Sequence, residues 1–142
     1  MKAATIYERG GKIYVHSSSK TTAGIWVIND PVMIVEKDDV EELGLSVRRC
    51  LDASREGVPH PKSFANLFDP VLALAGVKSF NTFVKSAKCV EVEMVGETAT
   101  LIPTRNEGAE DGFVPLFGKA QAAVDTNKAV GSAAVAALAI AV

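Results

Sequence analysis

The sequence predicts an α+β fold: a largely antiparallel sheet with helices between and after its strands, in one domain spanning residues 1–142. Three observations lead there. Short apolar-alternating runs open the chain, a strongly punctuated amphipathic helix follows, and a second alternating hairpin lies beyond the middle. At 142 residues the chain is long enough to bury a core without metals or disulfides. Its 48% hydrophobic and 23% charged content is ordinary for a globular protein and excludes a disordered chain.

The first strands are "ATIYER" and "KIYVHSSS", separated by Gly10-Gly11, a pair that accepts the positive φ of a tight hairpin. Alternation places Ile13 and Val15 on one face, with Tyr14 and His16 on the other. "GIWVIND" and "PVMIVEK" read as two further runs broken at Asp30-Pro31. A helix over about 38–56 follows, with Asp38 as cap and Glu41 completing a capping box. Gly57 and Pro59 close it. Val40, Leu43, Val47, Cys50, Leu51 and Ser54 share its inward face, and Arg48 and Asp52 are spaced as an i,i+4 pair.

Shorter helices are expected next. Ser63 can cap one reaching Phe68, Asp69-Pro70 opens another that Gly76 stops, and Ser79 begins a third carrying Phe80, Phe83 and Val84. "KCVEVEMV" then alternates Val90, Val92 and Met94 against Glu91 and Glu93, and "TATLIPT" returns after Gly96. The glutamates make one face of this hairpin wet. "FVPLF" is an edge strand at most, because Pro115 has no N–H to donate. The closing "AVGSAAVAALAIAV" is too short for a bilayer span of about 20 residues, and reads as a core helix.

Few classes of chemistry survive this reading. Fifteen basic against seventeen acidic residues leave a net charge of −2, which argues against a nucleic-acid binder. Cys50 and Cys89 lack metal-like spacing and read as buried free thiols, with one long-range disulfide as the lesser reading. With the absence of a signal-peptide core at the N-terminus, they lead to the expectation of a cytoplasmic protein. His16 to Thr22 form a polar strand end and loop with an exposed face; no nucleophile elbow or phosphate-binding glycine motif surrounds them. His60, fixed between Pro59 and Pro61, is read as structural, bonded to a nearby carbonyl. Trp26 is read as core. With two histidines and no chelating motif, no metal or other cofactor is expected.

Two acidic clusters remain. Residues 36–42 hold Glu36, Asp38, Asp39, Glu41 and Glu42 with one lysine; helix-start electrostatics explains two or three of these. Glu107, Glu110 and Asp111 form a second cluster in a loop. Each reads as a solvated face or as a docking patch for a basic partner.

The blocks "KIYVHSSSKTTAGIW", "EGVPHPKSFANLF" and "AGVKSFNTFVKSAKCVEVE" resemble segments of immunity proteins from bacterial contact-dependent growth inhibition systems, over about residues 6–103. The tail after Asn106 resembles nothing specific. The resemblance implies a protein without turnover of its own. It would bind the C-terminal domain of a cognate toxin in the cytoplasm, commonly a nuclease, and cover or distort its active site. It carries no catalytic motif to transfer. A nuclease site is basic because it binds phosphates, and the acidic residues of both clusters are then candidates for the toxin-facing surface. The alternatives from other classes are a small enzyme using His60 or His16 as acid/base, and a metabolite-binding domain with a preformed pocket.

Overall fold

The computed structural model describes residues 1–124 and 126–142. The chain runs β1 (Lys2–Arg9), β2 (Lys12–Thr21), β3 (Trp26–Glu36), α1 (Val40–Ala53), β4 (Glu56–Val58), α2 (Asp69–Ala75), α3 (Phe80–Val84), β5 (Lys88–Val95), β6 (Thr98–Asn106), α4 (Gly108–Asp111), β7 (Phe113–Pro115), β8 (Gln121–Val124) and α5 (Asn127–Ile140). The sheet order is β3-β2-β1-β5-β6-β7, with β4 added to β2 and β8 to β6. All pairings are antiparallel except β2 with β4. The α+β expectation is met.

Local signals set the turns. Gly10 and Gly11 take φ of 59° and 79°, so Arg9 faces Lys12 across a two-residue hairpin. The α1 cap is Asp39, one residue later than expected: its carboxylate accepts from the Glu42 N–H at 3.1 Å. The helix also ends earlier, at Ala53, because the chain from Arg55 turns extended to run beside β2, where Lys20 N–H donates to Arg55 C=O at 2.8 Å. Gly76 ends α2 in the left-handed region, and Ser79 caps α3 by accepting from the Thr82 N–H. Ser63 starts no helix; residues 61–64 are irregular and 65–68 form a turn, with Asn66 at φ 66°. Asp30-Pro31, a cis bond, does not break the third run into two strands. Both residues are bulged out of one continuous β3, between the pairs His16–Val32 and Ser17–Asn29.

Period-two alternation sends the two sides of the sheet into separate cores. Ile6, Ile13, Val15, Val90, Val92 and Leu101 face α1 and α5, meeting Leu43, Val47, Leu51, Val130, Ala134 and Leu138. Tyr7, Tyr14 and Cys89 point the other way and meet Val71 and Leu72 of α2 and Phe83 of α3. Phe68 lies edge-on to Tyr7, Phe80 and Phe83 at 5.0–5.6 Å between ring centres. Helices α1 and α5 cross at their glycines: a Cβ on Gly44 would lie 1.7 Å from the Asn127 carbonyl oxygen, and one on Gly131 2.0 Å from that of Val40. Arg48 adds a 2.6 Å hydrogen bond to Asn127 Oδ1. The closing run is thus a core helix, and among the described residues no helix is long and apolar enough to cross a membrane. Cys50 and Cys89 are free and buried; burial pushes the Cys50 thiol up to about 12.

Candidate functional site

The polar stretch from His16 to Thr21 is not an exposed strand end. It belongs to β2, between β1 and β3, and His16, Ser17, Ser18, Ser19 and Thr21 are all at most 8% exposed. The end of α1 satisfies the serine row: Ser54 Oγ donates to the Ser18 carbonyl, and the Arg55 N–H donates to Ser19 Oγ at 3.0 Å. Residues of low strand propensity are held by ladders on both sides and by these bonds.

Among the described residues neither histidine meets an acid. His16 Nδ1–H donates to the Ser17 carbonyl at 2.8 Å, and its ring sits 5.7 Å from Tyr7 and 6.4 Å from Phe68 between centres. Burial lowers its pKa to about 4 against the lesser, opposing effect of that hydrogen bond, so the ring is neutral at pH 7. His60 is exposed and bonds a hydroxyl where a carbonyl was expected: its Nδ1 lies 2.9 Å from Thr21 Oγ1. That oxygen already accepts from the Ala23 and Ile25 N–H groups at 3.2 Å, so its own hydrogen goes to the ring. The Thr21 hydroxyl closes the turn at residues 21–25 and is spent on structure.

The acidic clusters come together at one end of the sheet. Strands β3, β1 and β6 run in the same direction, so Glu36 and Glu107 emerge at the same edge, four strand spacings or about 19 Å apart. All eight acids are exposed. Glu36 pairs with Lys12 and Glu107 with Arg105, while Lys37 reaches Glu8 at 3.1 Å, so the end is mixed in charge. Asp39 is spent as a helix cap. Asp38, Glu41, Glu42, Glu110 and Asp111 are left facing solvent. The second cluster is one turn of helix, α4, where a loop was expected.

A cleft of about 400 Å³ opens on the aromatic side of the sheet, above the part covered by α2 and α3. Register assembles its floor: Glu91 faces Thr5 across β5 and β1, and Thr5 faces His16 across β1 and β2, putting the three in one row. Tyr7 and Ser18 flank this row, and Trp26, Phe64 and Phe68 form the wall. Trp26 is half-buried at the start of β3, not in the core. The glutamates of the wet face are half-buried here. Burial raises the Glu91 carboxyl above its ordinary value, and the nearby Glu93 raises it further. Sequence reasoning missed this cleft as a site. Its signal was the alternation in "KCVEVEMV" and "KIYVHSSS", but only strand register shows that Glu91 and His16 share a surface. Among the described residues no group of three or more His, Cys, Asp and Glu could hold a metal ion.

No protein-family model matches the chain, and no curated protein matches it in sequence. Two solved structures share its fold over essentially their whole length. A protein of unknown function from Neisseria meningitidis superposes with a TM-score of 0.81 at 15% identity, over 99% of this chain and 95% of its own. A chain of the CdiA-CT/CdiI toxin and immunity complex from Yersinia pseudotuberculosis superposes with a TM-score of 0.78 at 17% identity, over 99% of this chain and 97% of its own. At these identities the likeness is one of fold.

Proposed function

We propose that this chain is an immunity protein of a contact-dependent growth inhibition system, which binds the C-terminal domain of a cognate toxin in the cytoplasm and neutralises it by covering its active site. The observation that carries the reading is the end-to-end fold likeness to a chain of a toxin and immunity complex. The local chemistry agrees with a binding protein: His16 is held neutral by burial and His60 is bonded to a turn hydroxyl, and among the described residues neither has the carboxylate partner an acid–base pair needs. The solvent-facing acids Asp38, Glu41, Glu42, Glu110 and Asp111 at one sheet end, with Glu36, Asp39 and Glu107 beside them, are the part of this surface that would steer a basic, phosphate-binding toxin toward it.

The experiment expresses the C-terminal domain encoded immediately upstream, alone and together with this chain. Rescue of growth with a stable one-to-one complex is the expected result. Toxicity without rescue or binding would overturn the reading.

A further inference from the structure

The cleft on the aromatic side of the sheet is unusual in what it offers. His16 is only 5% exposed, yet its Nε2 has no hydrogen-bond partner among the described residues. Because Nδ1 carries the proton donated to the Ser17 carbonyl, Nε2 presents a lone pair. It is not sealed in: the fully buried, unpaired side-chain atoms among the described residues are Arg9 Nε and Ser46 Oγ. Across the row, about 10 Å away between backbones, stands Glu91, which likewise makes no hydrogen bond or ion pair among the described residues. Glu93 follows two residues on, about 7 Å along the same face of β5. The floor is therefore a carboxylate and an imidazole lone pair, acceptors both, with the Thr5 hydroxyl between them and the Glu93 carboxylate next along the strand beyond the cleft's lining.

A cleft lined by acceptors and walled by Trp26 and Phe64 suits a flat cation with several N–H donors. A guanidinium can donate to Glu91 on one side and to His16 Nε2 on the other, and stack on the indole face. An ammonium supplies charge but not the planar fork. An anion would meet Glu91 and Glu93, and a neutral apolar group would leave His16 and Glu91 desolvated and unpaired.

We propose that this cleft is the anchor point for an arginine side chain of the partner protein, with Glu91 and His16 as its hydrogen-bond acceptors and Trp26 as its stacking surface. The proposal rests on the immunity reading for its partner and goes beyond it in naming the contact. The burial of Glu91 and its repulsion by Glu93, both unfavourable to its charge in the free protein, are offset when the cation pairs with it.

Two measurements test it separately. Trp26 is the sequence's single tryptophan, so its fluorescence reports the cleft directly. Titration of the chain with N-acetyl-arginine amide at low salt is expected to give a saturable change. The neutral isostere N-acetyl-citrulline amide should bind at least about tenfold more weakly, as should the arginine probe to the isosteric variant Glu91→Gln. Equal response to both probes, or no loss in Glu91→Gln, overturns the cleft's chemistry. The second measurement is the affinity of the upstream toxin domain for wild-type chain, Glu91→Gln and Glu93→Gln, with urea midpoints confirming that the variants fold. At least a tenfold loss for Glu91→Gln, mostly in the dissociation rate, and a smaller loss for Glu93→Gln are expected. Wild-type binding unchanged by Glu91→Gln refutes the anchor while leaving the immunity reading intact. No binding by wild type refutes the immunity reading, and with it the named partner, whatever the first titration shows of the cleft.

Discussion

Acidification should expose the cost of holding His16 neutral. The folded chain keeps its pKa at about 4, against 6.5 for a free imidazole. Above pH 6.5 the ring is neutral both folded and unfolded, and no penalty arises. Between 6.5 and 4 the unfolded chain takes up a proton that the fold refuses, so stability falls with pH at about 1.4 kcal/mol per unit. The loss sums to about 3 kcal/mol and levels off below pH 4, where both states are protonated. Urea unfolding followed by Trp26 fluorescence, from pH 8 to 4, measures it in wild type and in His16→Gln. Every other ionisable group, Glu91 included, is common to both proteins, so the difference between the two curves isolates the imidazole. His16→Gln also removes a packed ring, but that shifts its curve by a constant. The expected difference curve is flat above pH 6.5 and bends toward the variant below it. A difference curve flat throughout would mean that the ring charges freely in the fold. One bending the other way would mean that the imidazolium pairs with Glu91.

Other consequences follow from named contacts. Gly44→Ala and Gly131→Ala force a methyl to within about 2 Å of a backbone carbonyl oxygen, so α1 and α5 must separate; each should cost about 3 kcal/mol and lower the Tm by roughly 10 °C in calorimetry. Glu91→Gln should raise the urea midpoint at neutral pH: its folded pKa lies above the unfolded value, so ionisation above pH 4.5 weakens the fold, and the amide abolishes that loss. Thr21→Val removes an oxygen that accepts from two backbone N–H groups and bonds His60, and should cost about 1–2 kcal/mol in urea, more than His60→Ala. Charge reversal at Asp38, Glu41 and Glu42, or at Glu110 and Asp111, should slow association with the toxin domain and flatten its salt dependence in stopped flow, with little change in dissociation.

What the sequence made legible was local. The Gly10-Gly11 hairpin, the inward face of α1 from Leu43 to Leu51, the Asp69-Pro70 start and the Ser79 cap all depend on neighbours a few residues apart, and they stand where the pattern put them. The errors were long-range. Ser17 to Ser19 read as an exposed strand end because serine is polar, and nothing nearby in sequence announces that Ser54 and Arg55 will arrive to cover and satisfy them. Strands β4 and β8 are three and four residues long, too short for any periodic signal. Trp26 read as core because its run is apolar, though it stands where no helix covers the sheet. The two acidic clusters were visible as composition. That they leave the sheet at the same end depends on the direction of β3 and β6, which only pairing fixes.

The alternation in β5 divides its residues between two tasks. Val90 and Val92 are sealed against α1 and α5, while Glu91 looks into the cleft from the opposite side of the same backbone and Glu93 follows it on that face. A change at Glu91 or Glu93 therefore leaves every core contact of its neighbours in place, and the same holds for Thr5 between Ala4 and Ile6. Side chains can be exchanged residue by residue on this face without refolding the protein. A lineage under pressure to meet a new partner would have a surface that can change quickly on a framework that need not change at all.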